Sequence, residues 1–416
     1  MNQIKKKILI HLPFPLKPLD TGAKRRILGI LKYFRNRKNF FAVDAVASND
    51  FRSTKWTSEQ KQEVLNFVEN LFIYEGEHNL FDFLYSRSQS FYYQKLFRQQ
   101  LPVDSDYLTP PGYIKFVQNL IAQQNYDFIW INYIDYAHIA INSKSPLIQT
   151  FIDMHDLCCE ARLARKNISY LKRLQFDYES NLSREINLLN KFDTVLANSQ
   201  HEMAILSSHL SPEKIHLIPH LVEDSNHSLS LPPYSSREFK YELLFVGASY
   251  QPNIDGLNFF LTSIFPKIID EKPDTKLAIA GTVTQSVQID ASLEQNVDCL
   301  GYVPDLSDLY LKSRLVICPL LDGSGTKVKL QEAMAYAIPT VTTTTGASGL
   351  NLIDGVNAFI TDEPTVYADQ IIRLLKEPEL AQKFSEEVDI TFKRHYSNSA
   401  VYSKLDRILS IFPSSS

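Results

Sequence analysis

Apolar residues in this chain come in short runs separated by longer amphipathic stretches, and the alternation occurs in two blocks. Lys7–Leu12 is a run of strand length, Pro13–Gly22 is rich in proline and turn residues, and Ala23–Arg37 has helical periodicity. Ile27, Ile30, Leu31 and Phe34 recur at helical spacing and predict one apolar face, with a basic face opposite. Phe41–Ala47, Asp127–Asn132, Leu147–Asp153, Thr194–Asn198 and Ile215–Pro219 read as further strands. Residues 50–125 are polar and aromatic and read as several helices, and Glu160–Asn190 as one long charged helical stretch. Over Glu223–Lys240 the composition turns to Ser, Pro, Asn and His, which marks a linker.

The second block repeats the theme. Glu242–Gly247, Lys276–Gly281, Val297–Val303, Arg314–Leu320, Thr340–Thr344 and Ala358–Thr361 read as strands. Ile254–Ile269, Thr326–Tyr336, Thr365–Lys376, Glu379–Arg394 and Ser399–Ile411 read as helices. Near-continuous apolar strands alternating with helices predict parallel sheets covered on both faces. The expected class is α/β, with two Rossmann-like domains facing across a cleft: residues 1–222, a linker at 223–240, and residues 241–395. Residues 396–416 are expected to pack back on the first domain as a helix. In open sheets of this kind ligands gather at the carboxyl ends of strands, so the loops there are where chemistry is sought.

Composition narrows the classes. At 416 residues the chain exceeds one ordinary core, and 44% hydrophobic with 22% charged residues is a globular balance. A net charge of -4 argues against a nucleic-acid partner. No run approaches the roughly 20 apolar residues of a membrane-spanning helix. The apolar run after Lys5-Lys6-Lys7 is cut by His11 and Pro13, so it reads as a strand rather than an export signal, and a cytoplasmic location is expected. Cys158, Cys159, Cys299 and Cys318 lack metal-ligand spacing and read as reduced, mostly buried thiols.

Candidate chemistry concentrates in Pro319–Gly349, PLLDGSGTKVKLQEAMAYAIPTVTTTTGASG. A strand ends near Pro319, and a loop containing Gly323, Ser324, Gly325 and Thr326 opens a helix. Loop glycines and a helix N-terminus present backbone N–H groups to an anion, and Lys327 and Lys329 add full charges. Glu332 follows, and a carboxylate there can accept both hydrogen bonds of a ribose diol. The plainer alternative is an ordinary strand–loop–helix connection with a solvated lysine face. His155 likewise has two readings, a group facing a substrate or a turn histidine held between Asp153 and Asp156. The basic residues Lys24, Arg25 and Arg26 either attract an anionic acceptor or membrane surface, or form a solvated helix face. Asp104-Ser105-Asp106 has the spacing of a metal-binding pair, but it sits between prolines without a preceding apolar strand and reads as a turn or helix start.

KLQEAMAYAIPTVTTTTGASGL resembles the donor-binding signature of glycosyltransferase family 4, the retaining enzymes of GT-B architecture. Other segments match that family in order: PFPLKPLDTGAKRRILGILKYF, Asp153–Asp156, FDTVLANSQHE, IHLIPH, LLFVGASYQPNIDGLNFF and GYVPDLSDLYLKSRLVICPL. The resemblance implies an N-terminal acceptor-binding domain and a C-terminal nucleotide-sugar-binding domain. It assigns Gly247, Val303, Gly323, Ser324, Gly325, Thr326, Lys327 and Glu332 to the donor, and Gly22, Lys24 and Arg25 to the acceptor side. His155, Lys327 and Glu332 become the catalytic set, with no metal and no cofactor beyond the nucleotide diphosphate sugar. The implied activity moves a sugar to a glycan or lipid-linked acceptor in cell-surface polysaccharide assembly, with peripheral docking at an anionic membrane. A silent nucleotide-sugar-binding protein and a nucleotide-sugar epimerase of the same architecture are the alternatives. Two positions depart from the pattern. Ser324 stands where many members carry the first of two glutamates, and Ala248–Asn253 lacks the basic pair common after the first donor-domain strand.

Overall fold

The computed structural model describes residues 4–19, 21–49, 55–143, 145–164, 174–222, 231–323 and 327–411. They form two units, residues 1–219 with 406–416, and residues 220–405.

The first unit is built on a parallel sheet of seven strands. These are β1 (Lys6–His11), β2 (Phe41–Ser48), β3 (Asn70–Tyr74), β4 (Phe128–Asn132), β5 (Gln149–Asp153), β6 (Thr194–Ala197) and β7 (Ile215–Leu217). Their order is β3-β2-β1-β4-β5-β6-β7, with Ile8 paired to Val43 on one side and to Phe128 on the other. The helices are α1 (Gly22–Asn36), α2 (Ser58–Val64), α3 (Leu80–Ser90), α4 (Pro111–Gln124), α5 (Ala137–Ser143), α6 (Cys158–Ala164), α7 (Tyr178–Leu189) and α8 (Gln200–Ser207). Strand β3 falls inside the stretch read as helical. Its side chains are only half-buried at the sheet edge, so no apolar alternation announces it. The expected continuous helix over Glu160–Asn190 is also corrected. Gln175 leaves helical geometry to pair with the 98–100 backbone, donating to Arg98 O at 2.7 Å and accepting from Gln100 N at 3.0 Å.

The second unit holds a six-stranded parallel sheet in the order β10-β9-β8-β11-β12-β13. The strands are β8 (Tyr241–Val246), β9 (Leu277–Ala280), β10 (Val297–Gly301), β11 (Ser313–Cys318), β12 (Thr340–Thr342) and β13 (Phe359–Ile360). The helices are α9 (Gln251–Phe259), α10 (Phe265–Glu271), α11 (Ser307–Leu311), α12 (Val328–Ala335), α13 (Thr344–Ala347), α14 (Pro364–Lys376), α15 (Pro378–His395) and α16 (Asn398–Ile408). The helix expected over Ile254–Ile269 is interrupted by a π-helical turn, Phe260–Ile264, because Pro266 cannot donate into the regular ladder. Alternate residues of β8 and β11 enter two cores, one with Leu243, Phe245, Leu315 and Ile317, the other with Leu244, Val316 and Cys318. Burying each such Leu or Phe contributes about 1.5–3 kcal/mol, which is why both faces read as apolar.

Of the stretch expected as linker, residues 223–230 lie outside the described residues. Tyr234 is buried in the second unit's core and donates to Arg314 O at 2.9 Å. At the other end of the chain, Asp406 of α16 accepts from Tyr33 Oη at 2.8 Å and from Arg37 Nη2 at 2.7 Å, both on α1. The four cysteines are free thiols, Cys159 and Cys318 buried and Cys299 exposed.

Candidate active site

In the second unit the strand order reverses between β8 and β11, and the loops leaving their carboxyl ends meet. A Cβ on Gly256 would lie 2.7 Å from Pro319 O, and one on Gly323 would rest 3.5 Å from Pro252. Gly323 has φ +128, a conformation that side chains rarely adopt. Gly247, at the end of β8, donates to Ala280 O at 2.9 Å, and a Cβ on Gly281 would fall 2.1 Å from Gly247 O. The three strand ends are therefore packed backbone against backbone.

Two cations serve this corner. Lys327 is buried and donates to Gly323 O at 2.9 Å, folding its ammonium back across the loop. Lys329 donates to Asn253 Oδ1 at 2.6 Å and lies 4.6 Å over the Phe245 ring. The stretch Ala248–Asn253 has no cation of its own, yet Lys329 delivers one to it. Burial, with Lys327 adding to it, pulls the Lys329 ammonium below the ordinary lysine range, while Glu332 opposes the shift. Lys327 is buried and Lys329 half-buried, so two cations are gathered at this corner. Glu332 lies in α12 and accepts from Tyr310 Oη at 3.1 Å, and the Tyr310 ring stacks on Tyr336. Gln331 is fully buried, and neither of its amide atoms finds a partner among the described residues. Val303, beyond β10, packs half-buried on the core that contains Leu309, Tyr310 and Leu330. Ser324, Gly325 and Thr326 lie outside the described residues.

The first unit gathers a second set of polar groups. Arg26 and Asp153 are both buried, and Arg26 Nε donates to the two carboxylate oxygens at 2.8 and 2.9 Å. Arg26 Nη1 donates to Ile218 O at 2.7 Å. His155 follows in a left-handed conformation, φ +63, its ring flat against Tyr133 with centroids 4.2 Å apart. Its Nε2 is 2.9 Å from Asn132 Oδ1, while Asn132 Nδ2 donates to His11 O at 2.7 Å. That second bond turns the amide oxygen toward the imidazole, so Nε2 carries the hydrogen and Nδ1 keeps its lone pair. Nδ1 is buried without a partner among the described residues. Burial first, and then the Arg26 charge, hold the imidazole well below the usual histidine range. The ring is thus held by Asn132 and not between Asp153 and Asp156.

Glu202 is buried, and it braces the same loop. Its oxygens accept from Leu157 N at 3.1 Å and Asn198 N at 3.0 Å, and the Asn198 side chain donates to His155 O. Burial pushes this carboxyl up to about 8, with Asp156 adding to the shift. Gly22 opens α1 behind the Thr21 cap, Lys24 donates to Pro18 O at 2.9 Å, and Arg25 is exposed. The residue that sequence reasoning missed is Arg26. Its charge suggests the basic face, yet it stands one turn before Ile30 on the apolar stripe, which is the available signal that its charge has a buried partner.

The structure therefore brings Gly247, Gly323, Lys327 and Glu332 to neighbouring elements of one unit, and places Gly22, Lys24, Arg25 and His155 in the other. Asp104 pairs with Arg184, and Asp106 accepts from Tyr85 and Gln89.

Residues 240–377 match the family model described as Glycosyl transferases group 1. The two parallel sheets match solved structures of GT-B glycosyltransferases. Anabaena HepE in complex with UDP and glucose superposes with a TM-score of 0.62 at 15% identity, over 98% of this chain and 100% of that one. Sucrose-phosphate synthase of Thermosynechococcus elongatus gives 0.64 at 15% identity, over 98% of each chain. TarM of S. aureus, solved with fondaparinux, alpha-GlcNAc-glycerol and UDP, gives 0.63 at 13% identity, over 97% of this chain and 99% of that one. Among curated proteins, an uncharacterized 44.6 kDa protein in the cps region of Klebsiella pneumoniae is 26% identical over 184 residues. That match covers 40% of this chain and 47% of the relative, about half its length. No helix among the described residues is long and apolar enough to cross a membrane.

Proposed function

We propose that this chain transfers a sugar, with retention of anomeric configuration, from a nucleoside diphosphate sugar to a glycan or lipid-linked acceptor in cell-surface polysaccharide assembly. The observation that carries the reading is the Lys327–Lys329 pair, set where the loops after β8 and β11 meet, inside the segment that matches the glycosyltransferase family. HepE binds UDP and TarM binds UDP in structures of the same architecture, and the Klebsiella relative comes from a cps region.

The diphosphate docks against the loop that includes Gly323–Thr326, with both ammonium groups facing its charge, and Glu332 receives the ribose diol. The bond between the anomeric carbon and the phosphate oxygen breaks, and its electron pair leaves with the nucleoside diphosphate. Lys327 and Lys329 stabilise that developing charge by preorganised electrostatics, so the reading asks for no metal. The acceptor hydroxyl attacks from the face the phosphate leaves, and its proton passes to the departing phosphate oxygen. His155 contacts the transferred sugar, and Lys24 and Arg25 stand on the acceptor side.

A thermal-shift panel of UDP, GDP and ADP with their sugars tests the donor site, since binding to the folded state raises the melting temperature. Transfer to acceptor extracts, with the product anomer read by NMR, tests the reaction. A panel in which no nucleotide diphosphate moves the transition sinks the reading.

A further inference from the structure

Where β4 ends, two consecutive residues grip one ring. Strands β4 and β5 run parallel with Asn132 in register with Asp153, so Asn132 and His155 leave neighbouring strands. Both ends of the Asn132 amide are committed. A carbonyl oxygen only accepts, so Nδ2 is the end that faces His11 O at 2.7 Å, and Oδ1 is left for His155 Nε2 at 2.9 Å. Asn132 and His155 are both buried, which shields this bond from solvent. Tyr133 takes the same imidazole by its face, with centroids 4.2 Å apart and 7° between the planes. The Tyr133 N–H donates to Asp153 O at 2.9 Å, and Phe14, from the loop after β1, meets the Tyr133 ring edge-on at 6.1 Å. Tyr133 has φ +68 and His155 φ +63. Two stacked side chains that both hold left-handed backbone mark a turn over-determined by its surroundings, a feature of places where chemistry needs fixed geometry.

We propose that Asn132 is a positioning residue of the transfer reaction: it fixes His155 as the Nε2–H tautomer, so that the Nδ1 lone pair meets a hydroxyl of the transferred sugar. The inference rests on the transfer reading above and deepens it. Among the described residues Nδ1 finds no partner, so the tautomer depends on Asn132 alone. Glycosyl transfer develops positive charge at the anomeric centre. A lone pair beside that centre accepts from a sugar hydroxyl, whereas an N–H or an imidazolium there turns the positive end of a dipole, or a full charge, toward the developing cation. The two neutral tautomers therefore differ in sign at the atom that meets the sugar, and the protein has to select one. Asn132 selects it with a group that carries no charge. A carboxylate at this place would favour the imidazolium, and a hydroxyl could turn either a donor or an acceptor to the ring. An amide held from behind by His11 O presents only its oxygen. Asn132 acts through His155 and does not itself touch the sugar.

Heteronuclear NMR of the imidazole nitrogens in the full chain, without substrate, reads the tautomer directly, and the His155 signals are those missing from His155→Asn. The wild type is expected to show a neutral Nε2–H ring. In Asn132→Leu the Nε2–H has lost its acceptor, and the Nδ1–H form is expected to appear. Asn132→Asp returns an acceptor to the same place and is expected to restore the Nε2–H form. Transfer rates are expected to follow the same order. Asn132→Leu loses about 10–100-fold, with the nucleotide-induced melting shift unchanged, and Asn132→Asp recovers part of the loss. On the His155→Asn background Asn132→Leu is expected to cost no further rate, because the residue it acts through is gone. An Nδ1–H ring in the wild type, an unaltered ring in Asn132→Leu, or the full loss repeated on the His155→Asn background each overturns the inference. Should Asn132→Leu not fold, the wild-type spectrum and Asn132→Asp still decide. The spectra need no donor. An Asn132-dependent tautomer in a protein that transfers no sugar counts against the transfer reading, whereas active transfer with a tautomer that ignores Asn132 counts against this inference alone.

Discussion

Lys329 Nζ lies 2.6 Å from Asn253 Oδ1, so the cation at the carboxyl end of β8 comes from α12 and not from the loop that follows the strand. One short segment, Lys327–Glu332, thereby carries both positive charges and the carboxylate of the corner. Nucleotide recognition is expected to depend on that segment more than on any other.

Lys329→Met keeps an unbranched stem against Phe245 and removes the charge. Hydrogen bonds to charged groups contribute about 1.5–3 kcal/mol, which is roughly a 10–100-fold loss of nucleoside diphosphate affinity. The bare nucleoside is expected to bind as before, and calorimetric titration of both ligands separates the two. Because the Lys329 pKa is lowered, diphosphate affinity in the wild type is expected to weaken as pH rises, earlier than an ordinary lysine allows. Equal losses for nucleoside and diphosphate would show that Lys329 does not read phosphate.

Glu332→Ala is expected to abolish the melting-temperature rise caused by nucleotide diphosphates. The change removes the Tyr310 hydrogen bond, which as a bond to a charged group contributes about 1.5–3 kcal/mol. Glu332→Gln retains one acceptor and is expected to recover part of the shift. An Ala variant with an unchanged nucleotide response would remove the ribose assignment.

Most strands of the two sheets, such as β1, β4, β8 and β11, were legible because they are buried on two faces and read as nearly unbroken apolar runs. Strand β3 was not: Leu71–Tyr74 is a short apolar run, but it lies in an aromatic stretch where so short a run does not separate strand from helix. Helix α3 misleads in a different way: its apolar stripe points outward and its polar residues inward, so the usual rule assigns the wrong face. The loop glycines, Lys327 and Glu332 could be picked out locally because they share one strand–loop–helix connection. The Lys329–Asn253 contact joins residues 76 apart, and the Arg26–Asp153 contact residues 127 apart, and no local pattern reports either.

Arg26→Met should expose the cost of that second contact. Asp153 is fully buried, and removing its partner leaves an uncompensated carboxylate, a loss of about 3–5 kcal/mol. Arg26→Lys should recover little, because an ammonium cannot reproduce the guanidinium's bonds to both Asp153 oxygens and to Ile218 O. Urea unfolding of the variants measures both.

Glu202 supplies a pH signature. Its carboxyl is raised from 4.5 to about 8 in the fold, so the folded state holds a proton that the unfolded chain has released. Stability from this group is fully present below pH 4.5 and is lost as pH rises toward 8. In Glu202→Gln that loss disappears, and the gap in slope between the two proteins is worth on the order of a few kcal/mol across the window. The variant's constant offset reflects the bonds to Leu157 and Asn198, so the slope of melting temperature against pH from 5.5 to 8.5 is the readout. Parallel slopes would place the titration elsewhere.

His155→Asn separates chemistry from folding at a buried, left-handed residue of the first unit. A left-handed φ strains most side chains, but asparagine tolerates it, so the turn is expected to survive. What is removed is an imidazole kept neutral by burial, with Nε2–H held on Asn132 and the Nδ1 lone pair without a partner among the described residues. If that lone pair serves the transferred sugar, the transfer rate falls by ~100-fold or more while the nucleotide-induced melting shift, which reports the second unit, stays at the wild-type value. A turn histidine predicts the reverse, with stability reduced and rate per folded molecule unchanged. Measuring rate and melting shift on one preparation therefore decides between the two roles that the sequence left open.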